Sequence, residues 1–120
     1  MTRSLESLLG EARDSIVRVT PREAQAAVED GALLVDMRSA DEQREQGVLI
    51  PGALLHPLSV VLWRLEALPR ETRVILVCRH GYSSSLAAAE LARLGFREPG
   101  DVIGGVEAWQ KAGLPVEPLR

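Results

Sequence analysis

The residues of this chain best equipped for covalent chemistry stand together in Cys78-Arg79-His80-Gly81-Tyr82-Ser83-Ser84. They follow the apolar run Val74-Ile75-Leu76-Val77 and lead straight into the clearest helical pattern in the sequence. A cysteine at the tip of a buried strand, ahead of a glycine-containing loop and a helix start, sits where unpaired backbone N–H groups can converge on its sulfur. Those groups and the positive end of the helix dipole favour the thiolate, which is the nucleophile. Arg79 adds positive charge, and His80 adds more when protonated. The same amides can hold an anionic substrate or a charged sulfur intermediate. A competing reading stands beside this one: a lone cysteine ending an apolar strand is most often a small buried hydrophobe.

The elements that would position the loop can be read from periodicity. Leu5, Leu8, Leu9 and Ala12 recur at helical spacing, and Val17 to Val19 can form a short strand. Thr20-Pro21-Arg22-Glu23 predicts a helix start, with Thr20 as cap, Pro21 in the first turn and Glu23 closing a capping box, and the helix stops at Gly31. Ala32 to Val35 is a continuous apolar run, as in a strand buried on both faces of a parallel sheet. Ser39 and Glu42 repeat the capping-box spacing, predicting a polar helix over Ala40 to Gln46 that ends at Gly47. Pro51-Gly52 is a turn, Ala53 to Leu55 a further short strand, and Leu58, Val61, Leu62 and Leu65 share one helical face. Arg73 to Val77 is the clearest strand. Ser84 to Leu94 is the clearest helix, with Leu86, Ala87, Leu91 and Leu94 on one side. Val102-Ile103 and Val106 to Ala112 complete the alternation. Strands alternating with helices in this way predict an α/β fold with a small, mainly parallel sheet and helices on both faces. Ligands of such sheets bind beyond the carboxyl ends of the strands, which is where Cys78 falls.

Composition narrows the class of protein. At 120 residues the chain is one domain with one core, 46% hydrophobic and 26% charged. The pattern places the main domain over residues 16–120, with a helix over 1–15 packed on it. A net charge of −3 and pI near 5.4 argue against a nucleic-acid partner, which calls for a clustered basic face. The longest apolar run, Val74 to Cys78, is far short of the ~20 residues that span a bilayer, so no membrane partner is expected. Met1 to Gly10 carries Glu6 and lacks the apolar stretch of a secretory signal. With a single cysteine, no internal disulfide can form, which suits a reducing compartment; a cytoplasmic location is expected.

Four blocks in order resemble the single-domain rhodaneses, the thiosulfate sulfurtransferases. Cys78 to Ser83 resembles their six-residue active-site loop. Leu34-Val35-Asp36-Met37-Arg38 resembles their strand ending in Asp-x-Arg, and Ile50-Pro51-Gly52-Ala53 their Ile-Pro-Gly-Ala turn. Val102-Ile103-Gly104-Gly105-Val106, with Ala108-Trp109, Ala112-Gly113 and Leu114-Pro115-Val116, resembles their C-terminal signature. The resemblance spans about residues 16 to 117. It implies a rhodanese-like fold and Cys78 as the nucleophile that becomes a persulfide. Its donor would be a small anionic sulfur compound such as thiosulfate, and its acceptor a thiol, cyanide or a protein cysteine. Arg79, His80, Gly81, Tyr82, Ser83 and Ser84 would bind substrate, Asp36 and Arg38 would support the site, and no metal or organic cofactor is needed. The alternative class is a non-catalytic rhodanese-like module for binding or redox sensing, with Cys78 at most oxidised.

Departures from the family pattern carry information. Many thiosulfate-type loops end in arginine where this chain has Ser83. Mercaptopyruvate-type loops begin Cys-Gly rather than Cys78-Arg79, which favours thiosulfate between the two. Gly47-Val48-Leu49-Ile50-Pro51-Gly52-Ala53 lacks a histidine that the family often places before this turn, and is one residue longer. Phosphatases of related fold use Cys-x5-Arg, whereas the sixth residue after Cys78 is Ser84. Cys78 and His80 lack the further ligands of a zinc site, and neither His56 nor His80 forms an evident catalytic triad. For several residues a structural role is the default. Ser83 and Ser84 are expected to cap the helix rather than bond the sulfur. Arg38 is expected to anchor loops with Asp36 rather than charge the pocket. Trp63 and Trp109 are expected to pack in the core.

Overall fold

A computed structural model describes residues 2–119. The elements in chain order are α1 (Leu5–Arg13), β1 (Val17–Val19), α2 (Pro21–Glu29), β2 (Leu33–Asp36), α3 (Ala40–Gln46), β3 (Val48–Leu49), β4 (Leu54–Leu55), α4 (Val61–Leu65), β5 (Val74–Val77), α5 (Ser83–Arg93), β6 (Gly100–Val102), α6 (Gly105–Lys111) and β7 (Glu117–Pro118). Five strands form one sheet in the order β1-β6-β5-β2-β4, with every neighbouring pair parallel. Strand β5 is central, and Cys78 follows its carboxyl end.

The sheet's place in the core follows from its side chains. All four residues of β5 are buried, as a parallel strand covered on both faces requires. Ile75 and Val77 join Leu34 and Val102 on one face, under Ala24 and Ala27 of α2 and Val106 and Trp109 of α6. Val74 and Leu76 join Val35 on the other, under Val61 and Leu65 of α4 and Ala87, Ala88 and Leu91 of α5. Helix α1 packs on α5, burying Leu9 and Ala12. The α/β class and the helices on both faces agree with the expectation from sequence. Both capping boxes form: Thr20 with Glu23 at α2, and Ser39 with Glu42 at α3, which ends at Gly47 with φ of +72°. No helix among the described residues is long and apolar enough to cross a membrane.

Several local expectations are corrected. Trp63 is 78% exposed. Helix α4 has only five residues, and Val61 and Leu65, four apart, take its buried face; Trp63, two from each, must point outward. Leu58 is exposed because it precedes the helix, in a turn where the Pro57 carbonyl accepts the N–H groups of Val60 and Val61. Leu86 and Leu94 are also part-exposed, and α5 buries Ala87, Ala88 and Leu91 instead. Strand β6 begins at Gly100 and ends at Val102, leaving Ile103 outside it and exposed. The antiparallel pair β3 and β7 was not expected from sequence.

Candidate active site

The loop that starts at Cys78 is tied down on its outer side by the first turn of α6. The Val106 N–H donates to the Cys78 carbonyl at 2.8 Å, and the Glu107 N–H to the Arg79 carbonyl at 3.2 Å. Such an approach demands glycine at position 105. A Cβ there would lie 2.3 Å from the Cys78 oxygen and 2.5 Å from the Arg79 oxygen, at a φ of +64°. Gly81 fits the same junction at φ +89°, where a Cβ would come within 2.8 Å of the Gly104 nitrogen. Gly105→Ala is therefore expected to lower stability by about 3 kcal/mol, from the left-handed backbone and the displaced carbonyls together. Urea unfolding measures this; a loss under about 1 kcal/mol would show that the loop yields freely.

Cys78 is only 4% exposed. Its sulfur accepts the Gly81 N–H at 3.1 Å and lies 3.2 Å from Ser84 Oγ. The Ser84 hydroxyl is also 2.8 Å from Asp101 Oδ2, so its one proton faces two acceptors. With Cys78 as a thiol, Ser84 donates to Asp101 and accepts from the sulfur. With the thiolate, the hydroxyl turns to donate to the sulfur, and Asp101 keeps Ser85 at 2.8 Å and the Arg18 guanidinium at 2.9 Å. Among the described residues, the N–H groups of Arg79, His80, Tyr82, Ser83 and Ser84 have no partner. They are unspent donors at the amino end of α5, an 11-residue helix.

Arg79 pairs with Glu45 of α3. His80 Nδ1 lies 2.8 Å from Glu107, which also holds Lys111 at 3.1 Å. Lys111 chiefly, and His80 with it, keep the Glu107 carboxyl below its usual range. Arg79 and His80 thus each lie against a carboxylate. Tyr82 is exposed and Ser83 part-exposed. Neither Ser83 nor Ser84 caps α5, correcting the capping expectation: Tyr82 occupies the cap position without a side-chain bond, and Ser84 turns inward to sulfur and carboxylate. Ser84 also stands where a Cys-x5-Arg loop would place its arginine. Asp36 and Arg38 are fully buried and bonded at 2.7 Å, and Arg38 also donates to Gln46 Oε1 and the Val48 carbonyl.

Sequence reasoning missed Arg13, Arg18, Ser85 and Asp101. The available signal lay in the strands. Arg18 interrupts the apolar β1, and Asp101 is its register partner on β6.

A parallel sheet that delivers one cysteine into a glycine-turned loop at a helix start defines an α/β domain of the cysteine-loop kind. The chain belongs to the rhodanese-like family, whose domain model matches residues 20–112. It is 37% identical over 87 residues to a sulfurtransferase of Allochromatium vinosum, covering 72% of this chain and 79% of that protein. Over 103 residues it is 37% identical to thiosulfate sulfurtransferase GlpE of Pseudomonas savastanoi pv. phaseolicola, covering 86% and 94% of the two chains. Among solved structures it is similar to the polysulfide-sulfur transferase homodimer of Wolinella succinogenes, with a TM-score of 0.77, 21% identity and coverage of 93% and 85%. That last likeness bears on the fold alone.

Proposed function

We propose that this protein is a sulfurtransferase that carries sulfane sulfur on Cys78. The observation that supports it most is the setting of the sulfur: buried, bonded to the Gly81 N–H at 3.1 Å, and flanked in sequence by loop N–H groups that have no partner among the described residues. After loss of the thiol proton to solvent, the Cys78 thiolate attacks the outer sulfur of thiosulfate. The new S–S bond forms as the S–S bond of the donor breaks, and sulfite leaves with the bonding pair. The product is a Cys78 persulfide anion, whose terminal sulfur carries the charge that the loop amides and the α5 amino end stabilise. A thiophilic acceptor (cyanide, a small thiol or a protein cysteine) then attacks that outer sulfur and regenerates the thiolate. This is covalent catalysis in two half-reactions, complete without a metal or organic cofactor.

The relatives named sulfurtransferase support the reaction class, and thiosulfate is the donor favoured by the loop sequence. A free cysteine that must remain reduced suits the cytoplasm, where we place the reaction. Initial rates with thiosulfate and cyanide varied together test the scheme. Parallel double-reciprocal lines are expected for two half-reactions linked by a covalent intermediate. Intersecting lines, or no cyanide-dependent turnover with any of thiosulfate, mercaptopyruvate and a protein persulfide as donor, would contradict it.

A further inference from the structure

Two guanidiniums lie behind the Cys78 loop, and the sulfur chemistry above gives them no part. Arg13, the last residue of α1, donates from Nη2 to the Gly81 carbonyl at 3.0 Å and from Nε to Ser85 Oγ at 3.1 Å. Arg18 of β1 donates from Nη2 to the same carbonyl at 3.1 Å, while its Nε and Nη2 bond the two Asp101 oxygens at 2.9 and 3.3 Å. Asp101 and Ser85 are fully buried. A carbonyl has two lone pairs, and here a cation engages each. The Ser85 proton is better placed on Asp101, at 2.8 Å, than on this carbonyl at 3.3 Å.

Neither ending β5 nor starting α5 calls for two charged donors on one carbonyl. What they fix is the Gly81–Tyr82 peptide. In a trans peptide the C=O and N–H point in opposite directions. Holding the Gly81 oxygen toward the arginines therefore sends the Tyr82 N–H, which has no partner among the described residues, to the other side. The adjoining Gly81 N–H already reaches the sulfur at 3.1 Å. The two guanidiniums and Asp101 also leave one formal positive charge behind the loop, opposite in sign to a thiolate or persulfide.

We propose that Arg13 and Arg18, the latter oriented by Asp101, are positioning residues for sulfur transfer that hold the Gly81–Tyr82 peptide so its flanking amides serve the terminal sulfur. The proposal rests on the persulfide reading and extends the site to α1 and β1, both before residue 20, where the family match begins. Arg13→Ala and Arg13→Lys test it in the full chain, by thiosulfate–cyanide kinetics and by the backbone amide NMR signals of Gly81 and Tyr82.

In Arg13→Ala, kcat is expected to fall about tenfold or more with KM for thiosulfate little changed, because misplacing groups around reacting atoms costs rate. The Gly81 and Tyr82 signals should move while those of β2 and α2 stay in place. Arg13→Lys keeps the charge but not the fork that spans Ser85 and Gly81, and should fall between the two. It decides the matter if the alanine variant does not fold. A kcat within about twofold of wild type in the alanine variant, full recovery in the lysine variant, or unmoved loop signals would overturn the proposal. A wild-type protein that forms no persulfide would sink the sulfurtransfer reading instead, and the amide signals would still decide whether Arg13 holds the loop.

Discussion

Cys78→Ser is expected to cut thiosulfate-dependent sulfur transfer by at least about 10³-fold, since removing the nucleophile of a covalent mechanism leaves only binding. The reason is chemical rather than structural. A serine oxygen is far less nucleophilic toward sulfane sulfur and offers no persulfide. The fold should tolerate the change. The side chain is nearly the same size, and the Gly81 N–H and Ser84 hydroxyl that lie 3.1 and 3.2 Å from the sulfur can bond an oxygen there. Stability should shift by no more than about 1 kcal/mol. Turnover within about tenfold of wild type in the folded variant would remove Cys78 from the reaction.

The largest loss of stability is expected at Arg38, with the chemistry spared. Arg38 and Asp36 have no exposed surface and bond through several contacts, the shortest 2.7 Å. Arg38→Ala would strand a buried carboxylate at the end of β2, along with the Gln46 side chain and the Val48 carbonyl that the guanidinium also serves. Breaking one partner of such a pair costs about 3–5 kcal/mol. Arg38→Lys should recover only part of this, because an ammonium cannot reproduce the fork that reaches Asp36, Gln46 and Val48 together. Urea unfolding alongside kcat per folded molecule separates the possible roles. Unchanged stability with a collapsed kcat would mean that Arg38 acts on the sulfur pocket and does not anchor β2.

Much of the frame was legible because local and tertiary demands agree. The capping boxes at Thr20 and Ser39 need only residues three apart, and both form. Strand β5 is apolar on every residue because it is central and covered twice. The loop was legible for a related reason: a strand, a cysteine, a glycine and a helix start are contiguous in the chain. Where partners lie far apart in sequence, the pattern carried less. Val48 and Leu49 pair with Pro118 and Glu117 through contacts that no periodicity encodes. Asp101 lies outside the Val102-Ile103 pair that marks this strand in the sequence, yet it is within β6, opposite Arg18 in register. Arg13 reaches Ser85 and Gly81 across some seventy positions of sequence, and only the packing of α1 on α5 brings it there. Trp63 misled because an apolar side chain near a helical stripe reads as core, whereas α4 is too short to bury more than one edge.

The most direct test of the central claim is the intact mass of the protein after incubation with thiosulfate, before and after a reductant wash. The expected result is a gain of one sulfur atom on the folded wild-type chain, lost on reduction and absent from Cys78→Ser. A folded wild-type protein that gains no sulfur from thiosulfate, mercaptopyruvate or a protein persulfide would contradict the account, as would an equal gain in the serine variant.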